Sequence, residues 1–131
     1  MRTLTALVLS SMLMLGGCTY RYSIKATLAE GTVIFRPDGQ RLFGPRACIT
    51  WFTVAAEGEE VWAFGPPASQ GNRCIADFPL TYGALPAGAV QAAPPKPIRE
   101  GAVYVVEARG PGITGTGRFL VRRALVLDAV E

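Results

Sequence analysis

The chain is 131 residues long and half apolar, with 13 Lys and Arg against 10 Asp and Glu and no histidine. All three methionines and no acidic residue fall in the first 17 positions, so the remaining 114 residues are one domain's worth, too few for separate cofactor and substrate domains. With no His or Met in that part, Ser-His-Asp and Cys-His catalysis, His-ligated zinc, blue copper and haem held by His or Met are excluded.

The N-terminal segment opens with Arg2, continues as an apolar run over residues 4–15 broken only by Thr5, Ser10 and Ser11, and ends in small residues. Twelve residues of helix reach roughly 18 Å against a hydrocarbon core of about 30 Å, which points to a signal peptide over residues 1–17 and not to a permanent span. Its last residues, Leu15-Gly16-Gly17-Cys18, resemble the lipobox of bacterial lipoprotein precursors, which are cut before a cysteine carrying a diacylglyceryl thioether. The resemblance implies that Cys18 is the lipid attachment site and that the protein is held at the membrane by acyl chains, each buried CH2 contributing about 0.8 kcal/mol. Thr19 stands where an aspartate would favour retention in the inner membrane, so the implied location is the periplasmic face of the outer membrane, with surface display as the other orientation. Residues 18–23 are then a lipidated tether, and residues 24–131 are the folded domain.

With Cys18 taken by lipid, Cys48 and Cys74 remain as an even pair in an oxidising compartment, which predicts one structural disulfide. Closing the loop of about 26 residues between them corresponds to roughly 3.5 kcal/mol in the chain-entropy model.

The 13 Gly and 10 Pro that follow position 17 separate short β-branched and aromatic runs, a distribution that predicts an all-β fold. In chain order, a strand over residues 31–36 turns at Pro37-Asp38-Gly39 toward a short partner over 40–43. A strand over 48–54 is apolar on both alternating sets, as in the centre of a sheet. Glu57-Gly58-Glu59-Glu60 is a solvated hairpin tip lacking the spacing of a calcium loop, and residues 61–64 return as its second strand. Residues 73–78 are a short strand. Residues 83–97, rich in Ala, Gly and Pro, are a stiff crossover between sheets. Further strands are expected over 102–108 and over 118–127, the latter with a bulge at Arg122-Arg123 that restores the apolar phase.

Seven or so strands of this kind predict a small β-sandwich. Ile98, Gly101 and Tyr104, opening a strand, resemble the tyrosine corner of fibronectin type III and immunoglobulin-like β-sandwich domains. That resemblance implies a bond from the Tyr104 hydroxyl to upstream backbone near Ile98, and it carries no activity.

Gly110-Pro111-Gly112-Ile113-Thr114-Gly115 spells a dinucleotide-binding pattern, but it leads into a strand where the pyrophosphate site requires a helix N-terminus, so no nucleotide is expected and a glycine-rich hairpin connection is. A net charge of +2 after position 17, spread along the chain, argues against nucleic acid and mildly favours anionic headgroups or glycans. The carboxylates Asp38, Asp77, Glu100, Glu107 and Asp128 show no paired spacing, and neither enzymatic activity, a cofactor nor a metal is expected. Two readings of function remain. One is a structural or adaptor lipoprotein of the cell envelope with a protein or glycan partner. The other is a periplasmic ligand-binding or enzyme-inhibitor module using an exposed aromatic patch formed by Trp62, Phe64 and Tyr82. Exposure of those three rings decides between the readings.

Overall fold

The computed structural model describes residues 20–39, 48–69, 71, 73–123 and 125–128. Residues 1–19, with Cys18, and the expected short strand over 40–43 lie outside the described residues.

The described chain is all-β, in nine strands: β1 (Tyr20–Ala29), β2 (Thr32–Pro37), β3 (Trp51–Ala56), β4 (Glu59–Gly65), β5 (Leu80–Thr81), β6 (Val90–Ala93), β7 (Tyr104–Gly110), β8 (Ile113–Arg122) and β9 (Leu125–Asp128). They follow one hydrogen-bonded path, β5-β2-β1-β8-β7-β3-β4-β6, with β9 added to β8. Where a sandwich of two separate sheets was expected, a single sheet curls into a half-barrel. The reason lies in β1, which pairs parallel with β8 through Tyr20 to Ser23 and then antiparallel with β2 through Ile24 to Ala29.

β1 is the largest departure from the sequence reading, which expects a tether where its first four residues pair as strand. Tyr22, Ile24 and Ala26 are buried while Arg21, Ser23 and Lys25 are exposed, the period-2 pattern of a half-buried strand. Two two-residue turns are built from the same dipeptide. Glu30-Gly31 has φ of 52° and 78° and Glu57-Gly58 has φ of 53° and 77°, the doubly positive geometry of a type I′ hairpin.

Other differences are local. The expected bulge at Arg122-Arg123 is a reversal: Arg123 takes a φ of 51°, Arg122 pairs with Leu125, and the change of apolar phase arises because the chain turns back as β9. The crossover over 83–97 contains β6, paired antiparallel with the edge of β4, and Lys96 N–H donates to Val61 O at 2.8 Å. Residues 73–78 form only an isolated bridge, Ile49 to Ala76, beside the Cys48–Cys74 disulfide, which is present as expected. The glycine-rich segment is the β7–β8 hairpin turn, with Gly110 paired to Ile113.

The core lines the inner face in rows that run across the strands. One row is Tyr22, Gly115, Ala108, Phe52 and Phe64, the next is Gly117, Val106, Val54 and Trp62, and the third is Phe119, Tyr104 and Ala56. Large rings share these rows with small residues, which leaves room for the rings between neighbouring strands. A Cβ on Gly115 would overlap the Tyr22 ring, and one on Gly117 would overlap the Ile24 carbonyl. From the far limb of the curl, Phe35 on β2 reaches Phe52 at 5.3 Å and Phe119 at 5.7 Å, joining strands that lie far apart in the sheet. Each fully buried large side chain contributes roughly 1.5–3 kcal/mol.

The bond expected between Tyr104 and the upstream backbone is present, one residue from Ile98. Arg99 N–H donates to Tyr104 Oη at 2.7 Å, and the buried Tyr104 ring stacks on Phe119 at 5.2 Å. Replacing Tyr104 with Phe keeps the stack and removes the acceptor, so Tyr104→Phe is expected to cost about 1–2 kcal/mol in urea unfolding with the slope unchanged. A loss below about 0.3 kcal/mol would show that the bond does not hold the segment before β7.

Candidate functional site

The aromatic trio singled out from sequence does not form an exposed patch. Trp62 and Phe64 are both 0% exposed. They pack on each other at 5.3 Å and on Phe52 at 5.6 and 5.5 Å. The cause is a β-bulge between β3 and β4 at Val54/Ala55, opposite Val61, which sets Trp62 and Phe64 on the concave side. Trp62 Nε1 has no acceptor among the described residues.

Tyr82 is half-buried and acts as a strut. Its ring meets Trp62 edge-on at 5.3 Å, and its hydroxyl is shared between Lys96 O at 2.6 Å and Val61 O at 3.1 Å. Burial pushes its phenol above the usual tyrosine range. The same ring helps line a cavity of about 510 Å³ at one end of the half-barrel, with Leu28, Val33, Ile98, Val121 and Glu100.

Trp51, on the opposite phase of β3, is the most exposed aromatic ring among the described residues, at 45% against 39% for Tyr20. The register that places Phe52 against Phe64 brings Gly65 next to Trp51. A Cβ on Gly65 would overlap three contiguous atoms of the six-membered ring almost equally, so the indole lies face-down over Gly65. Its other face is turned to solvent.

Around this ring the outer face carries cross-strand rows of polar groups. Trp51 is paired with Arg109 and Thr53 with Glu107, while Ala55 stands between Glu60 and Val105. Thr53 is small and floors a cleft of about 310 Å³, walled by Trp51, Glu60, Glu107 and Arg109. A second depression, of about 170 Å³, lies against Trp51 and Arg109 on the side of Thr50, Gly110 and Pro111. Arg109 Nε donates to Glu107 Oε1, which pairs the two groups at the cleft and raises the already high pKa of the guanidinium.

The three carboxylates of the Glu57-to-Glu60 tip go separate ways. Glu57 faces Arg99 at 3.7 Å, Glu59 accepts from Lys96 Nζ, and Glu60 lines the outer cleft. The ion pair with Lys96 holds Glu59 below the usual carboxylate range. Glu107, which the sequence offers only as one carboxylate among several, and Trp51, which it offers only as a strand residue, both line the cleft. The signal that could have found them is the parity of β3 relative to Gly65, which depends on the bulge.

Comparison with family models, curated proteins and solved structures finds no match to this chain.

Because the Tyr82 pKa is raised by folding, its contribution is complete below the unfolded tyrosine value of about 10 and is lost as pH rises through the folded value. Tyr82→Phe is therefore expected to lower stability by about 1 kcal/mol at neutral pH and to flatten the decline in stability above pH ~10. Denaturant midpoints between pH 8 and 11 check both effects, and an unchanged alkaline decline would remove Tyr82 from the role.

Proposed function

We propose that this chain is a bacterial envelope lipoprotein, processed after a signal peptide of residues 1–17 and anchored through acylated Cys18, whose β-domain acts by contact through the outer sheet face around Trp51. The lipobox-like residues 15–18 support the anchor. The observation that carries the contact reading is the large aromatic ring laid flat on the sheet and left open to solvent beside an Arg–Glu pair. The Tyr104 bond to Arg99 supports kinship with immunoglobulin-like sandwiches, the curled sheet being a form in which β1 belongs to both layers. On this reading the location is the periplasmic face of the outer membrane, with a second envelope component as partner. Only Thr19 separates Cys18 from β1, so the first residue of β1 lies within about 7 Å of the proposed lipid attachment.

The alternative, a module that binds a small apolar ligand, is favoured by the cavity at the end of the half-barrel, whose volume and mostly aliphatic lining suit such a molecule. Tyr82 survives there from the expected patch, while Trp62 and Phe64 do not.

Wild-type protein from its own envelope is expected to carry acyl mass that Cys18→Ala lacks; an intact mass without lipid on the wild type would end the anchor reading. A photo-crosslinking side chain at position 51 is expected to trap a defined envelope component that the same probe at Lys25, on β1, does not. Turnover of peptidoglycan fragments, esters or peptides abolished by Glu107→Gln or Asp77→Asn would replace contact with a carboxylate hydrolase.

A further inference from the structure

The Trp51 face has the parts of a sugar-binding surface, and we propose that it binds a glycan of β-linked pyranose rings with equatorial substituents, one ring stacked on Trp51 and held by Glu60, Glu107 and Arg109. This deepens the contact reading and rests on it.

The first argument is shape. An aromatic ring offers a negative π-face, and the partner that matches it is a flat surface of weakly positive C–H groups. A pyranose whose substituents are equatorial presents such a surface on each side of the ring, whereas an axial hydroxyl obstructs the face from which it projects. Trp51 is suited to this because Gly65 beneath it fixes the indole parallel to the sheet with one face outward. An indole standing on edge would present no platform.

The second argument is the polar rim. The equatorial hydroxyls of a stacked ring point sideways in the ring plane, and each can both donate and accept. The cleft beside Trp51 supplies the complement: Glu60 and Glu107 as acceptors and Arg109 as donor, on either side of the Thr53 floor. Hydrogen bonds to charged partners are the stronger kind, and the Glu107–Arg109 pair holds both groups in position before a ligand arrives. A purely apolar partner would have to bury these charges without replacing their hydrogen bonds, which is costly.

The third argument is length. The depressions of about 310 and 170 Å³ lie on the two sides of the Trp51–Arg109 pair and share both residues. A ligand crossing Trp51 would therefore occupy a continuous track on the sheet, as consecutive rings of an oligosaccharide do and a single sugar does not.

The test uses the purified full chain in a detergent without a sugar headgroup, titrated with N-acetylglucosamine tetramer, cellotetraose and, as a control of different linkage, maltotetraose. The chain has two tryptophans, one exposed and one buried, so a change in the long-wavelength emission reports Trp51 directly. The expected result is saturable binding of at least one β-linked tetramer, tighter than the maltotetraose control and weakened at least tenfold in Trp51→Ala. Trp51→Tyr should retain much of it, and Glu107→Gln should weaken it with no change in the far-UV circular dichroism. Binding that survives Trp51→Ala, or no binding of any tetramer at millimolar concentration, overturns the glycan inference. If the tetramers fail while the crosslink from position 51 still identifies a protein partner, the contact reading stands and the glycan inference alone falls.

Discussion

The close approach of β1 to β8 is the constraint on which the rest of the structure depends. Gly115 leaves room for the Tyr22 ring and Gly117 leaves room for the Ile24 backbone, so a strand can lie on a neighbour nearer than any side chain at those positions would allow. Because β1 then leaves β8 and continues on β2, one sheet acquires a bend sharp enough to bring Phe35 over Phe52 and Phe119. The vacated edge of β8 beyond Phe119 is taken up by β9. Closure is thus achieved by one strand serving two partners, with the aromatic rows filling the space that the bend encloses.

The bend also divides the strands of the long limb into two functions. On β3, Phe52 and Val54 face inward and are fully buried, while Trp51 and Thr53 face outward into the cleft with Glu107 and Arg109 of β7. A rigid, ring-packed inner face lets the outer side chains stand on regular strands and not on loops, which is what a preformed contact surface requires. Tyr82 and the segment around Lys96 stay at the margin. They brace the edge of β4 through the Val61 and Lys96 carbonyls and through the Glu59 ion pair, and so protect a sheet edge that would otherwise be open.

The amino-acid sequence by itself determined the all-β class, the central position of the strand through Phe52, the hairpin at Glu57-Gly58, the turn at Gly110 to Ile113, the Cys48–Cys74 bridge and the bond that Tyr104 makes upstream. The first four follow from composition and from alternation within a few residues, the bridge from the even pair of cysteines left once the lipobox resemblance assigns Cys18 to lipid, and the Tyr104 bond from the resemblance of Ile98, Gly101 and Tyr104 to a tyrosine corner. Tyr22, Ile24, Ala26 and Leu28 alternate as clearly as any strand, and the following Glu30-Gly31 repeats the dipeptide of the second turn, so β1 was legible too. What only the tertiary structure decided is which face of each strand is inside. Trp51 and Trp62 have similar neighbours in sequence, and continued from the Glu57-Gly58 turn without interruption the register would set Trp51 opposite Phe64. The bulge at Val61 adds one residue, brings Gly65 under the Trp51 ring and turns Trp62 into the core. A single inserted residue reverses the facing of everything beyond it because the side-chain period of a strand is two, and no local pattern fixes that parity when both alternating sets are apolar.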